Sequence, residues 1–297
     1  YNINAEHRFD TSGTVLNFSA DYANYAGTRN ANSYNPFSDI NNAEAFPSNI
    51  FKSKHETDIK IYTQKLDFSK NITKTLVFET GAKNTIVNSH NTYTFEKKDI
   101  PTGQYILDTT VSNENLYLET IVAGYINLKK ELKNSSLQAG LRGENTFVDN
   151  ENKTTGFFLK RNYLNFFPNV SFDYSKSENH KFQFNISRRI DRPNYKDLNP
   201  FKSYQDNFSV TVGNPYLLPQ TSYNFTFTHS YRRWLTNTVT YSRYSNYILA
   251  SDLQDDTSKA TISSQNNLKR MDHYAYTAFI QKKIKKWWNC TFSGSVF

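Results

Sequence analysis

The sequence predicts an all-β protein: an antiparallel up-and-down sheet of the kind that closes into a transmembrane β-barrel. Three observations predict it. Apolar and polar residues alternate at period 2 from end to end, the mark of strands with one apolar face. The connections alternate between short and long, as when hairpins turn tightly on one side of a membrane and loosely on the other. Aromatic residues are abundant, with 21 Tyr and 23 Phe in 297 residues, and many fall beside strand ends, where rings settle at the membrane–water interface.

The first face runs through Leu16, Phe18, Ala20 and Tyr22, with Asn17, Ser19 and Asp21 opposite. Leu76, Phe78, Thr80 and Ala82 continue the pattern, opposed by Glu79 and Lys83. The longest face is Leu116, Leu118, Thr120, Val122, Gly124, Ile126 and Leu128, opposed by Tyr117, Glu119, Tyr125 and Asn127. Further strands carry Leu137 and Leu141; Phe182, Phe184 and Ile186; Tyr223, Phe225 and Phe227; Val239 and Tyr241; and Trp288, Cys290, Phe292 and Val296. About twelve strands result, many longer than the five or six residues usual in soluble sheets. Short connections fall at 10–13, 70–73, 133–136, 177–180, 232–234 and 283–286, and several are basic, including Lys70, Lys133, Arg232, Arg233, Lys283 and Lys286. The long ones are 26–53, 89–113, 150–160, 190–221 and 250–263, rich in Asn, Ser, Asp and Pro.

Composition narrows the class further. Charged residues are 21% and hydrophobic ones 37% of the chain, yet aromatics reach 16%, a ring content that disordered segments lack. No stretch approaches the roughly 18 consecutive apolar residues of a membrane helix, whereas tilted strands of about ten alternating residues cross a bilayer and still average as polar. The net charge of +8 comes from 35 basic and 27 acidic residues spread along the chain, a mild bias rather than the basic arm of a nucleic-acid binder. One cysteine, Cys290, allows neither a disulfide framework nor a Cys-based metal site. The opening YNINAEHRFD lacks an initiator Met and a signal-peptide layout, so residue 1 is expected to lie inside a longer gene product.

Signals for chemistry are weak. The six histidines (His7, His55, His90, His180, His229, His273) are scattered singly, without the spacing that puts two on one face of a metal site. Asp255 and Asp256 read as a solvated loop tip rather than a catalytic dyad. No nucleophile elbow or phosphate-binding glycine loop is present. Many Asn-x-Ser/Thr triplets occur, among them Asn17, Asn71, Asn169, Asn185, Asn207, Asn224 and Asn289; several fall inside strands and reflect composition rather than glycosylation. No enzyme, metal or cofactor is expected.

The densest run of special residues is SRRIDRPNYKDLNPF followed by GNPYLLPQ. Its prolines, Pro193, Pro200, Pro215 and Pro219, cannot donate to a ladder and belong at or beyond the sheet margin. Gly213 and Asn214 suit a turn with φ > 0. The arginines have carboxylates to pair with. The physical reading is a structural loop anchor, favoured over direct ligand contact.

This run resembles the signature of an outer-membrane β-barrel family of Bacteroidetes whose members look like TonB-dependent receptors. Arg188, Arg189, Arg192, Pro193, Tyr195, Leu198, Asn199, Pro200 and Phe201 occupy matching positions, as do Gly213, Asn214, Pro215, Leu217 and Pro219; Gln220 stands where Glu or Gln is usual. The flanks LQAGLRGENT, NYLNFFPNVSFDYS and KKWWNCTFSGS agree in style. The resemblance implies a receptor that takes up a scarce nutrient across the outer membrane of a Gram-negative bacterium through a barrel of about 22 strands. It also implies a plug domain upstream, through which the TonB energy-transducing complex acts. The implied partners are outer-membrane lipid, that complex, a surface lipoprotein and a nutrient of unknown identity, with no cofactor and no nucleic acid. Residues 1–297 are then one part of a single barrel domain, with signal peptide and plug outside the chain. Ligand capture is expected on the loops 26–53, 89–113, 190–221 and 250–263, since loops on a rigid scaffold carry recognition. Two other classes compete. One is a non-transporting barrel that serves as an envelope scaffold or adhesin. The other is a soluble β domain, which requires Leu116, Leu118 and Val122 to be buried in a core.

Overall fold

The computed structural model describes residues 1–38, 40–41, 44–206, 208–232 and 234–297. Arg233 of the basic turns and Asn207 of the Asn-x-Ser/Thr triplets lie outside the described residues. Fifteen strands form one sheet: β1 (Asn2–Arg8), β2 (Val15–Ser38), β3 (Glu44–Thr73), β4 (Leu76–Lys98), β5 (Tyr105–Leu107), β6 (Asn113–Glu131), β7 (Ser135–Asn152), β8 (Phe158–Ser177), β9 (His180–Asp191), β10 (Lys202–Tyr204), β11 (Ser209–Val212), β12 (Gln220–Tyr231), β13 (Leu235–Gln254), β14 (Thr261–Lys285) and β15 (Trp288–Val296). The long strands follow one another as an antiparallel meander from β1 through β4, β6 to β9, and β12 to β15. The short strands are additions: β5 pairs with β4, and the β10–β11 hairpin joins β14 through a parallel β11 contact. Among the described residues β1 pairs only with β2 and β15 only with β14, so the sheet is open at both edges.

Period 2 sorts the side chains onto two faces of different chemistry. On β6 the outward residues Leu118 and Val122 are 41% and 51% exposed, while Tyr117, Glu119 and Ala123 on the alternate positions are buried. Neighbouring strands repeat this: Leu137 and Leu141 on β7, Phe172 on β8, Phe184 and Ile186 on β9, and Phe225 on β12 are all exposed on the outer face. A soluble β domain would bury this face. Here the exposed face is the apolar one and the covered face is polar, the inversion that a lipid solvent selects. Aromatic pairs edge the band: Tyr22–Tyr62 and Tyr241–Tyr274 meet at centroid distances of 4.9 and 4.8 Å towards the long connections, and Trp287 lies beside Trp288 at the short-turn end.

Four of the short turns fall within two residues of their expected places, at 9–14, 132–134, 178–179 and around 232 and 234; the other two lie later, since 70–73 and 283–285 remain strand and the chain turns at 74–75 and 286–287. Their cations lean on the rings beside them, with Lys282 Nζ 5.2 Å from the Trp234 ring and the Arg232 guanidinium 5.3 Å from that of Tyr231, geometries that favour a cation beside an aromatic face.

Four of the five expected long loops are largely strand. The β2–β3 ladder continues past the aromatic rim up to Phe37 and Phe46, pairing Thr28 with Glu56 and Asn30 with Lys54. The segments around 89–98, 150–152, 158–160 and 250–254 also remain in their ladders. Beyond the rim both faces meet water, so apolar alternation fades while the backbone still satisfies its N–H and C=O groups by pairing. Among the described residues the longest excursion from the meander is 192–219, and it folds back across the inner face of the sheet.

Candidate functional site

Why the chain leaves the sheet at residue 192 is set by local chemistry. On the β8 side, Pro168 has no N–H to give, and the β8–β9 ladder stops at Asn169–Ser187. Arg188 fills the split, donating from Nη1 to the Phe166 carbonyl at 2.7 Å and from Nη2 to Asn165 Oδ1 at 3.2 Å. After Asp191 the chain turns through Pro193 into a short 3-10 turn at Tyr195–Leu198, then the β10–β11 hairpin, then the Gly213–Pro219 run that leads into β12.

This strap is held by one cluster against β6, β7 and β8. Arg192 Nη2 donates to Glu144 Oε2 at 2.8 Å and Thr146 Oγ1 at 3.1 Å, and its Nε lies 3.6 Å from Glu119 Oε1. Arg142 Nε donates to the other oxygen of Glu144 at 2.7 Å. Two guanidiniums thus face two carboxylates, and the group is neutral where water is largely excluded, a condition for charges to be tolerated there. Apolar packing adds to it: Leu217 (0% exposed) and Leu198 pack on Tyr117 and Val148, and the Tyr195 ring lies 4.8 Å from that of Tyr117. Burial, then the Glu119 carboxylate, pushes the Tyr195 hydroxyl up to about 12. Arg161 donates to the carbonyls of Leu217 and Pro215, the latter at 2.9 Å, and Asn150 Nδ2 to that of Leu198 at 3.3 Å.

A second cluster holds the far side of the strap. Phe201 packs with Phe51, Tyr93 and Phe95 of β3 and β4, with Tyr204 against them. Between the clusters Asn214 N donates to the Asp197 carbonyl at 2.6 Å, drawing the two limbs of the strap together. Gly213 has the role of close approach: a Cβ there would sit 1.9 Å from the Asn199 carbonyl oxygen. Neither Gly213 nor Asn214 has positive φ, so the expected left-handed turn is corrected; what excludes a side chain is the neighbouring backbone.

The arginines of the motif separate. Arg192 meets carboxylates as expected. Arg188 lies on the outer face and engages a carbonyl and an amide, and Arg189, opposite Ser222 on the inner face, is exposed. Gln220 joins strands, donating to Asp191 Oδ2 at 3.1 Å and accepting from Ile248 N at 2.9 Å. Glu119, Glu144, Arg142 and Arg161 went unselected in the sequence; their signal was there as charged residues on strand faces opposite apolar ones.

Beneath the strap, towards β2, β3 and β4, lies a cavity of about 370 Å³ bordered by Arg29, His55, Tyr93, Asp197, Asn199 and Gln265. Its walls are mixed polar and aromatic. Asn199 is buried, and its Oδ1 has no hydrogen-bond partner among the described residues. Burial raises the Asp197 carboxyl above its ordinary range. No group of three or more His, Cys, Asp or Glu side chains placed to hold a metal ion occurs among the described residues. The arrangement offers hydrogen bonds and shape.

An open antiparallel meander with an apolar outer face, tight turns at one end and a folded-in strap defines a transmembrane β-barrel protein. Residues 7–297 match the outer membrane protein beta-barrel family, and the chain belongs to that family; its location is the Gram-negative outer membrane. No curated protein matches the sequence. Among solved structures it is similar to the ferric citrate transporter FecA in its unliganded form (14% identity, TM-score 0.55, covering 94% of this chain and 38% of that one). It is similar also to the copper transporter OprC (10% identity, TM-score 0.61, 99% and 45%). A third is the ferric-catecholate import receptor Fiu from E. coli K12 (12% identity, TM-score 0.58, 99% and 46%). The likeness is one of fold, and the chain spans less than half the length of each of these transporters and receptors.

Proposed function

We propose that this chain is part of an outer-membrane receptor that takes up a scarce nutrient in a TonB-dependent manner, and that the motif residues of the strap anchor it across the inner face. The single observation that carries this reading is the strap itself. It is tied at both ends to the inner wall and borders a cavity of about 370 Å³ with mixed polar and apolar walls. The lining offers a ligand the side chains of Arg29, His55 and Asp197. A surface scaffold or adhesin needs no cavity on the inner face. A plug domain and TonB contact supplied by the rest of the gene product complete the reading.

The test compares cells with and without the gene, each with and without a protonophore, for accumulation of iron chelates, copper, vitamins, peptides and glycans. Energy-dependent loss of one solute class in the deletion is the expected result. No change in any solute, with loss of surface attachment or envelope integrity instead, overturns uptake in favour of the scaffold reading.

A further inference from the structure

On the outer face of β9, β12, β13 and β14 the change from apolar to charged takes a single rung. Ile186, Phe225, Tyr241 and Tyr274 are register neighbours across the four strands; the next outward row is Arg188, Tyr223, Arg243 and Asp272. Arg270 stands one outward position further along β14. Asp272 holds two guanidiniums, accepting from Arg243 Nε at 2.9 Å and from Arg270 Nε at 2.6 Å. The Tyr241 hydroxyl also donates to it, at 2.8 Å. Arg188 lies over the Tyr223 ring at 5.6 Å and has no carboxylate within ion-pair distance among the described residues.

The balance of charge singles out this patch. Elsewhere above the apolar band Lys54 pairs with Glu56, Lys60 with Asp58 and Lys160 with Asp149, one cation to one carboxylate, and Lys52 rests on the Tyr105 ring. Here two guanidiniums share one carboxylate, and Arg188 beside them has none within ion-pair distance among the described residues. Arg243 and Arg270 keep 46% and 55% of their side chains exposed, and Arg243 meets Asp272 through Nε. The row lies on the long-connection side of the apolar band, which in outer-membrane barrels faces outside.

We infer that this patch binds a phosphate carried by the headgroup of an outer-leaflet glycolipid. The acyl chains would lie along Ile186, Phe225 and Val239, the sugar against the Tyr223 ring, and the phosphate between Arg243 and Arg270. Guanidinium forks suit phosphate oxygens, and Asp272 holds two of them in place before the ligand arrives. An anionic lipid fits because the excess positive charge meets it at headgroup level, where each basic residue adds to attraction.

The test uses the intact outer-membrane protein in phosphatidylcholine nanodiscs, with lipid A as the phosphate-bearing probe and native mass spectrometry as the readout. The expected result is retention of lipid A, and a loss of roughly thirtyfold in affinity in Arg243→Gln/Arg270→Gln. The Arg243→Lys/Arg270→Lys protein should keep most of the binding. The wild-type protein needs no variant to be decisive: lipid A stripped of its phosphates should bind no better than phosphatidylcholine. Equal retention of the stripped lipid, or unchanged lipid A binding in a heat-modifiable, folded Gln variant, overturns the inference. Displacement of lipid A by inorganic phosphate alone also overturns it, since the patch would then read a free anion.

Discussion

Arg192 and Glu144 stand 48 residues apart in sequence and meet at 2.8 Å on the inner face of the sheet, joining the strap to β7. Glu119 depends on the same guanidinium. Replacing Arg192 by Met leaves Glu119 without its counter-charge in a place water scarcely reaches, and breaking a buried pair is costly. Arg192 retains 23% side-chain exposure, which places the expected cost at about 2–3 kcal/mol, under the full range for a dry pair. The strap should open more often while the barrel stays folded. Limited trypsin digestion in detergent checks this: cleavage at Lys196 and Lys202 should accelerate at least about tenfold, and Arg189→Gln should leave the rate unchanged.

Gly213 gives a second handle on the strap that involves no charge. Gly213→Ala puts a methyl group into the Asn199 carbonyl at 1.9 Å, with the Asp197 carbonyl 3.0 Å away. Backbone cannot yield as a flexible side chain does, so about 3 kcal/mol of overpacking is expected. The same trypsin sites should open, and hydrogen exchange should quicken at Asn214, whose N–H is bonded to Asp197. An Ala variant with wild-type protection would show that the limbs of the strap approach less closely.

What was legible in the sequence follows from where each signal is stored. Leu116 to Leu128 disclosed a strand and its outer face because one lipid-facing row must be apolar along its length. The short turns were legible because DTSG or SENH must reverse the chain in a few residues. Residues 26–38 and 44–53 misled because above the rim both faces of β2 and β3 are wet; Asn30 and Lys54 pair in a ladder that polarity cannot reveal. The strap's own residues stood out by type and spacing. Their partners did not, since Glu119, Glu144 and Arg161 are fixed only by long-range register. The role of Gly213 was misassigned for a related reason: sequence records that a side chain is absent, and only the neighbouring Asn199 carbonyl tells why.

Asp10 carries a pH dependence that the turn geometry makes explicit. Its carboxylate accepts from Ser12 Oγ at 2.7 Å, Ser12 N at 2.8 Å and Thr14 N at 3.1 Å, and bonds from Ser12, then Thr14, hold its pKa well below the usual carboxylate range. Asp255 is lowered in the same direction by Ser258, then Thr257, in the β13–β14 turn. A depressed folded pKa contributes stability that is present above the unfolded value of about 3.9 and is lost as pH falls through the folded pKa. Protection of the Ser12 and Thr14 amides should therefore be flat between about pH 7 and 5 and decline only below about 4. Asp10→Asn should remove that acid decline; hydrogen-exchange protection factors measured across the series check it.

The outer face yields the sharpest contrast with a water-soluble sheet. Val122 is 51% exposed, midway between Leu118 and Ile126 on the outward row of β6. In water a change from Val to Arg at such a site would cost little, since surface substitutions stay within about 0.5 kcal/mol. In a bilayer the same charge at the middle of the apolar band costs about 2–4 kcal/mol. Asn127, on the inward row, donates to Glu79 at 2.7 Å, and Asn127→Lys keeps a partner of opposite charge there, so it should be tolerated. Reversible unfolding of the intact protein from lipid vesicles should rank the variants wild type, then Asn127→Lys close behind, then Val122→Arg well below. If Val122→Arg unfolds with wild-type stability in lipid, this face of β6 does not meet the hydrocarbon, because no rearrangement of a paired strand could hide a guanidinium from the bilayer without disturbing the register that sets Val122 opposite Asn84 and Asn145.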